Sequence, residues 1–237
     1  MVNRFSASAS EIFAAAIQDY KRGLIVGEQT YGKGTVQTLI DLNQWVPKEQ
    51  DQLGQVKLTV AKFYRINGSS TQLKGVMPDL ELPTAFKVNE YGEGSQPSAL
   101  PWDQIASSRY EVTSNINPKI LEQLRDKYKH RLKTDEELKT LVKTLNDFKE
   151  ARENKIVSLQ ESKRKAERDE AEKKRAAMKQ LGEDNVDEDE DEADSKVAEA
   201  PKDVKKKKDI YLTETGRMLA DLIVISKEPS LAGTKKK

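Results

Sequence analysis

The strand-like and the charged parts of this sequence lie in different regions, and this separation limits the folds that the chain can adopt. Alternating apolar side chains and most of the glycines lie in residues 1 to 86, whereas Lys, Arg, Glu and Asp dominate residues 118 to 209. Over the whole chain 34% of residues are charged, 36% are hydrophobic and the mean hydropathy is −0.78. That balance leaves too little apolar surface for one uniform globule, because ordering each residue costs conformational entropy. We therefore expect a compact part and a solvated part.

Residues 1–86 predict one helix followed by several strands, which is typical of an α/β (or α+β) core that is only partly present. The helix is expected over residues 11–21, and its apolar face comprises Ile12, Phe13, Ala16, Ile17 and Tyr20. Strands are expected at 24–26, 35–42 and 55–66, with 71–73 returning as the hairpin partner of the last. The side chains expected to face the core are Val36, Leu39, Ile40, Val56, Leu58, Val60 and Phe63.

Residues 87–117 are predicted to be a linker, because Gly, Ser and Pro recur there and Trp102 is its one expected anchor. Residues 118–180 form a mainly α-helical C-terminal region with a capping box at Thr134–Glu137. Two apolar stripes support these helices: Ile120, Leu121, Leu124, Tyr128 and Leu132, then Leu138, Leu141, Val142, Leu145 and Phe148. Residues 157–180 indicate a solvated helix with a thin apolar face.

The end of the chain alternates between charge runs and one apolar segment. Residues 181–209 hold an acidic block and four consecutive lysines, a low-complexity composition that predicts a disordered acidic/basic segment. Residues 210–227 predict an amphipathic helix, and 228–237 a tail. The lysine runs lack interleaved aromatic residues, so they favour solvated tails and no nucleic acid partner. The acidic block lacks the spaced ligands and central glycine of a calcium loop.

Composition also excludes several kinds of chemistry. The chain has no cysteine, which rules out disulfides and a thiolate nucleophile. Its one histidine, His130, lies in a charged helical segment and indicates a helix-surface residue rather than a triad or zinc ligand. The net charge of +1 gives no electrostatic reason to expect nucleic acid or an anionic membrane. The N-terminus MVNRFSASAS lacks the apolar core of a signal peptide.

Two stretches carry the pattern of a serine nucleophile with a lysine base: NRFSASASEIFAAAIQDY and VGEQTYGKGTVQ. Ser8 stands among alanines just before the predicted helix, whose first amides and dipole favour a negative oxygen nearby. A serine needs a base, and lysine replaces histidine in known variants of the triad. Lys33 lies between two glycines that permit close backbone packing and an inward-turned ammonium group. It acts as a base only when neutral, a form that burial among apolar groups favours.

These stretches, together with the later GVMPDLELP, resemble the tail-specific (C-terminal processing) proteases of bacteria, which are serine peptidases. The resemblance implies that Ser8 is the nucleophile, that Lys33 is the general base and that Gln37 orients the lysine. It also implies that the Ala9 amide is one oxyanion donor. Residues 3 to about 84 carry the resemblance strongly, and SALPWDQI and NKIVSL extend it to the helical region. The family's PDZ domain, its N-terminal helical region, the first half of its catalytic core and its second oxyanion donor have no counterpart in this sequence.

Alternatives remain open for the same residues. Ser8 and Glu11 also fit a capping box, and Ser6 and Ser10 are rival nucleophiles. Gly27 to Lys33 resembles the start of a phosphate-binding loop, but Gly34 occupies the required Ser/Thr position. Asp19 could be proposed as a third catalytic residue, but about 16 Å of helix separates it from Ser8. We therefore expect Asp19 to have a structural role.

The sequence therefore predicts a partial catalytic core that belongs to a serine endopeptidase with a Ser8–Lys33 dyad and needs no cofactor or metal. The resemblance implies unfolded or C-terminally tagged protein substrates, an adaptor protein, a periplasmic location and a full-length parent that is membrane-associated. The competing hypothesis is a truncated, inactive fragment whose helical region acts as a protein-interaction module.

Overall fold

The computed structural model describes residues 1–45, 53–153, 160–180 and 209–227. These residues form two compact units, the first comprising Met1–Leu82 and Phe86–Pro118, the second Pro83–Ala85 and the described part of Lys119–Lys237. The described elements mix helices and strands, which confirms the mixed fold class. The segment expected to be disordered, 181–209, lies outside the described residues except for Asp209, and so does the tail at 228–237.

Helix α1, Ala9–Asp19, begins at Ser8 and packs its small side chains inward. Ala14 and Ala15 contact a core that includes Ile25 and Val76. The predicted apolar face is only partly correct: Ile17 packs against this core, but Ile12 and Phe13 are 48% and 69% exposed. Glu11, Ala14 and Ala15 are buried instead, because a helix presenting alanines approaches its neighbours closely enough to cover them.

Strand β1, Val26–Gly27, pairs in parallel with β4, Leu80–Glu81. Val2 bridges Gly27, so the N-terminal residues extend this small sheet. Val26 and Leu80 are buried, as expected for a parallel pair in a core.

Strands β2, Thr35–Asp41, and β3, Gln55–Lys62, form an antiparallel hairpin. The register pairs Gln37 with Thr59 and Thr38 with Leu58, with an irregularity between Val36 and Gln37. The prediction that 71–73 pairs with β3 is wrong. Those residues form turns that bind the lysine loop, with Leu73 N donating to Gly32 O and Gly34 N donating to Gln72 Oε1.

The predicted burial of the hairpin is also wrong. The side chains of its apolar positions are exposed: Val36, Leu39, Val56, Leu58 and Val60. The register places Val36, Val56, Leu58 and Val60 on one face and Leu39 on the other, which corrects the prediction that Leu39 shares a face with Val36.

The segment from 86 to 118 lies within the first unit. It contains the short helix α2, Val88–Tyr91, and a 3-10 turn at Glu93–Ser95; a second such turn, Leu42–Trp45, follows β2. Trp102 Nε1 donates to Ser70 O at 2.9 Å, and Lys74 Nζ lies 3.4 Å from the centroid of its ring. Trp102 thus anchors this segment to the turn beside the lysine loop.

The second unit contains four described helices: α3 (Pro118–Thr134), α4 (Glu136–Glu153), α5 (Glu161–Gln180) and α6 (Ile210–Lys227). Leu124, Tyr128, Leu138, Leu141 and Leu145 are buried, as the two apolar stripes predict. His130 is exposed, and so are the described side chains of α5. No helix among the described residues is long and apolar enough to cross a bilayer.

Helix α6 buries a face that is mainly apolar and includes Ile210, Met218 and Ile225. Glu214 lies among the same buried positions, whereas Leu212, Leu219 and Ile223 are exposed. Arg131 of α3 compensates the buried carboxylate, because its Nε donates to Glu214 Oε1 at 2.7 Å. The helix expected at 210–227 is therefore present, with a charged residue among its covered positions.

The cap of α4 is Asp135 rather than the predicted Thr134. Asp135 Oδ1 accepts hydrogen bonds from the amides of Glu137 and Leu138 at 2.9 and 3.1 Å. Thr134 is the last residue of α3, and its hydroxyl donates to His130 O instead. A threonine that still belongs to one helix is not available to cap the next.

Replacing Asp135 with alanine is expected to lower the free energy of unfolding of the second unit by about 1 kcal/mol, through loss of the cap. The Leu138 amide, followed by Arg217, holds the pKa of this carboxyl below its usual 3.8. Its stabilisation is therefore complete above pH 3.8 and is lost as the pH falls through the lower folded-state value. Urea unfolding at about pH 7 and about pH 3 measures both effects. Asp126→Ala, on the exposed side of α3, is the control; an equal loss in that variant would contradict the cap.

Candidate active site

Ser8 stands at the N-cap of α1 with an unusual backbone conformation, φ 53° and ψ −113°. Few non-glycine residues adopt positive φ, and such strain concentrates at functional turns. Sharp turns expose the nucleophilic serines of α/β-hydrolases. The turn leaves the Ser8 side chain half-buried at the end of the helix.

The neighbouring serines have other roles. Ser6 Oγ accepts from the Asn3 amide at 3.1 Å and donates to Asn3 Oδ1 at 3.3 Å. Ser10 lies inside α1 and is exposed. Ala9 is the first residue of the helix, where backbone amides have no partner within the helix.

Lys33 lies in the loop between β1 and β2, with glycines on both sides. Gly32 has φ 91°, and a Cβ on Gly34 would meet Gln72 N at 2.8 Å. The loop therefore packs closely against residues 70–73, as the glycines predict. Lys33 itself is only half-buried, in a cleft that is mainly polar rather than apolar. A strand follows it, so no helix N-terminus is present to complete a phosphate loop.

The structure brings Lys33 and Gln37 together. Lys33 Nζ donates to Gln37 Oε1 at 2.8 Å, and Gln37 Nε2 lies 3.4 Å from Thr59 Oγ1 on the facing strand. This row holds the lysine side chain along one face of the hairpin. Among the hydrogen bonds of the described residues, none joins the Ser8 hydroxyl to the Lys33 ammonium group.

Glu11 connects the serine turn to the lysine loop. Its Oε2 accepts from the amides of Ser8 and Lys33, both at 2.9 Å. Its Oε1 accepts from the Gly32 amide at 2.7 Å and the Thr30 hydroxyl at 2.5 Å. The side chain is fully buried. One carboxylate thus fixes the backbone on both sides of the site.

Burial raises the pKa of Glu11 above its ordinary 4.5, while the hydrogen bonds from Thr30, Gly32, Lys33 and Ser8 act in the opposite direction. From the sequence, this residue was predicted only as part of a helix cap. The Ser-x-x-Glu spacing reveals its bond to Ser8, but its bonds to a loop about twenty residues away depend on tertiary structure.

A second buried contact joins the same two segments. Arg4 Nη1 donates to Glu28 Oε1 at 2.9 Å and Oε2 at 3.0 Å, and the Arg4 amide donates to Glu28 Oε2 at 3.1 Å. The guanidinium carbon lies 3.9 Å from the centroid of the Phe86 ring. This ion pair holds residues 3–8 beside the strand that leads to Lys33.

A cleft of about 550 Å³ opens beside Lys33. That volume is in the range of small-molecule and side-chain pockets. Its walls are the hairpin, the serine turn and the segment 93–100; the residues are Ala7, Tyr31, Lys33, Thr35, Gln37, Lys57, Thr59, Glu93, Gln96, Ser98, Ala99 and Leu100. No local motif marks Lys57, Thr59 or the segment 93–100, so the sequence did not predict that they line the site.

Asp19 lies at the opposite end of α1 from Ser8 and has a separate role. Its carboxylate accepts from Arg65 Nε at 2.9 Å and from Arg65 Nη2 at 2.5 Å. Asn67 also donates to it, at 3.0 Å. A bidentate pair of this kind fastens the helix end to the loop after β3.

Comparison with known families divides the chain between residues 82 and 86, whereas the first structural unit also includes Phe86–Pro118. Residues 1–82 match Peptidase family S41, and residues 86–224 match the C-terminal domain of tail specific protease. The second match covers more than half of the chain.

Individual proteins described as tail-specific or C-terminal processing proteases are also similar to this chain. The chain is 40% identical over 233 residues to the tail-specific protease of Haemophilus influenzae, which covers 98% of this chain and 33% of that protein. It is 42% identical over 91 residues to the carboxy-terminal-processing protease of Bartonella bacilliformis, 37% of this chain and 19% of that protein. The solved structure of a photosystem II D1 C-terminal processing protease is 43% identical over 35% of this chain and 21% of that chain, with a TM-score of 0.28.

The chain thus spans about a third of the length of the Haemophilus relative. Its first 82 residues correspond to peptidase sequence, and residues 86–224 to a domain described in tail-specific proteases. The resemblance carried by the serine and lysine elements is thereby confirmed, and the chain belongs to the tail-specific protease family.

Proposed function

We propose that this chain carries the catalytic dyad of a serine endopeptidase that cleaves proteins in their C-terminal region. Ser8 is the nucleophile, Lys33 the general base, Gln37 the residue that orients the lysine and the Ala9 amide an oxyanion donor. The observation that carries the proposal is Glu11, since one buried carboxylate binds the backbone of both Ser8 and Lys33.

The proposed reaction is acyl transfer to serine. Ser8 Oγ attacks the scissile carbonyl carbon while neutral Lys33 removes the hydroxyl proton, and the negative oxygen forms next to the Ala9 amide. The ammonium group then donates the proton to the departing amine as the C–N bond breaks. Lys33 activates a water molecule that hydrolyses the acyl-enzyme, and Ser8 regains its proton.

The cleft supports a polypeptide substrate. It is bounded by a strand whose outer edge is unpaired among the described strands, which suits an extended chain. We propose unfolded or C-terminally tagged proteins as substrates. We also propose a periplasmic location, an adaptor protein as partner and a full-length parent protein that is membrane-associated.

The domain boundaries that we propose remain 1–86 for the core, 87–117 for the linker and 118–180 for the helical region. The charged segment, amphipathic helix and tail follow at 181–209, 210–227 and 228–237.

A second candidate function is non-catalytic, with the helical region binding a partner protein. The observation that favours it is the apolar exposed face of α6, formed by Leu212, Leu219, Ile223 and Val224. This second function predicts that the chain binds a partner protein without cleaving it.

The dyad is tested with a serine-reactive fluorophosphonate probe and an unstructured protein substrate. We expect Ser8→Ala to abolish labelling and Lys33→Ala to slow it by about 10²–10³-fold, because each residue is required for attack. Ser10→Ala and Lys119→Ala, both exposed positions, are the matched controls and should leave the rate unchanged.

Equal labelling or cleavage by Lys33→Ala would refute the dyad. Labelling at Ser8 without turnover would show a competent nucleophile in a chain that needs the rest of the enzyme. No labelling of the wild-type chain, with binding retained, would favour the interaction module.

A further inference from the structure

One buried glutamine lies between the lysine loop and the cleft wall formed by residues 93–100. Gln72 is fully buried, and its side-chain oxygen accepts from the Gly34 amide at 2.9 Å. Its side-chain nitrogen donates to the Leu100 carbonyl at 3.0 Å and to Glu93 Oε1 at 3.3 Å. Glu93 and Leu100 both line the cleft. One side chain therefore connects the loop that holds the lysine to the 93–100 wall.

The chemistry of the Gln72 side chain allows this connection in only one orientation. A glutamine oxygen only accepts and its NH2 group only donates, so the oxygen must face the Gly34 amide and the nitrogen must face the wall. A buried amide is costly unless both of its ends are paired, which here requires the loop and the wall together. For packing alone, an apolar side chain of the same length would suffice.

The backbone that carries Gln72 is itself fixed. Its amide donates to Ser70 Oγ at 3.0 Å, and the Ser70 carbonyl accepts from Trp102 Nε1 at 2.9 Å. Gly34 approaches this turn so closely that a Cβ there would meet Gln72 N at 2.8 Å and Ser70 Oγ at 2.9 Å. Because the packing leaves no slack, a displacement of the wall changes the position of the Gly34 amide.

We propose that Gln72 is a positioning residue that fixes the backbone of the general base relative to the 93–100 wall. The amides of Gly32 and Lys33 donate to Glu11, which sets the lysine relative to the serine turn. The next amide along the loop, that of Gly34, donates to Gln72. Gln72 thereby sets the lysine relative to the wall along which a polypeptide would lie. The inference rests on the proposed function, because that function makes Lys33 the base.

Amide hydrogen exchange, followed by NMR in the isotopically labelled chain, tests the connection without requiring turnover. Gln72→Met keeps the length of the side chain but removes its acceptor, so the Gly34 amide should exchange at least about tenfold faster. The Gly32 amide, which Glu11 holds, should change by less than about twofold. A residue that only stabilised the fold would speed exchange at both amides equally, because both would open together.

A double-mutant cycle tests the contribution of the wall. Glu93→Ala removes one acceptor of the Gln72 NH2 group and should speed exchange at Gly34 about threefold, with no further effect in Gln72→Met. Glu93 is only half-buried and Leu100 O still accepts from Gln72, so Glu93→Ala should fold even if Gln72→Met does not. In that case the comparison of Gly34 with Gly32 in Glu93→Ala decides the proposal.

Probe labelling gives the functional readout. Gln72→Met should slow labelling of Ser8 about tenfold per folded molecule, because the base is displaced. Gln104→Met, at an exposed glutamine, is the control and should label at the wild-type rate.

Three results would overturn the proposal. They are equal acceleration of exchange at Gly32 and Gly34, an undiminished effect of Glu93→Ala in the Gln72→Met chain, and wild-type labelling of folded Gln72→Met. If the wild-type chain does not label, the proposed function fails, and the exchange rates at Gly34 still decide whether Gln72 connects the loop to the wall.

Discussion

Replacing Glu11 with glutamine is expected to lower the free energy of unfolding of the first unit by about 2–4 kcal/mol and to slow probe labelling of Ser8 at least about a hundredfold. Glutamine has the same shape but only one acceptor oxygen, so its amide would face two of the groups that now donate to the carboxylate. Each buried donor left without an acceptor costs about 1–3 kcal/mol. The loss of reactivity follows because the Ser8 and Lys33 amides would no longer share an anchor.

Urea unfolding and labelling rates measure the two effects, with Glu81→Gln on the exposed side of β4 as the control. If Glu11→Gln has normal stability but labels slowly, Glu11 positions Ser8 and Lys33 without contributing to stability. Normal values of both would refute the bridging role of Glu11.

The contribution of the Glu11 carboxyl to folding stability should depend on pH in a direction that its pKa shift defines. Burial raises its pKa above 4.5, so the folded chain binds this proton more tightly than the unfolded chain does. The stabilisation is complete below pH 4.5 and is lost as the pH rises through the folded-state value. Because glutamine does not titrate, Glu11→Gln should lack the fall in stability that this carboxyl contributes to the wild-type chain as the pH rises from about 4 to about 7, and an equal fall in both chains would contradict the assignment.

Glu214→Ala is expected to lower the free energy of unfolding of the second unit by about 2–3 kcal/mol, because it removes one of the two carboxylates that accept from a partly buried arginine. The side chains of Arg131 and Glu214 are 19% and 1% exposed. Asp221 also accepts from Arg131, at 2.5 Å, so some of the charge remains compensated.

A double-mutant cycle with Arg131→Ala separates the pair from its surroundings. We expect a coupling of about 2 kcal/mol, since each single substitution leaves the other member of the pair without this hydrogen bond and the double variant removes both groups. Helix content followed by circular dichroism during urea unfolding provides the readout, and Glu122→Ala on the exposed side of α3 is the control. Additive losses would show that α6 is held by its apolar contacts instead.

The helices of the second unit were predictable because their signal is local. The stripes that include Leu124, Leu138 and Leu141 repeat at helical spacing, and those residues are buried. The α4 cap was misassigned by one residue, since Thr134 and Asp135 are both capping residues and only the end of α3 distinguishes them.

Burial was predicted less well than secondary structure. The strand boundaries of the hairpin lie near the expected ones, with β3 ending four residues early, yet its apolar side chains are exposed, as are Ile12 and Phe13 of α1. Periodicity shows which residues share a face but not what lies opposite it. In α6 the ion pair between Glu214 and Arg131 lies among buried positions that also include Met218, whereas Leu212 and Leu219 are exposed.

The family can be identified from the sequence alone, because the serine and lysine elements are contiguous strings whose residues need no partner to be recognised. The Ser8 bond to Glu11 and the shared strand face of Lys33 and Gln37 are also predictable, since both depend on spacing along the chain. Three contacts emerge only from the folded chain: Glu11 joins the two elements, Arg4 pairs with Glu28, and residues 93–100 form a wall of the cleft. Those contacts link positions about twenty or more residues apart, and the distance between such positions is set by packing rather than by local backbone geometry.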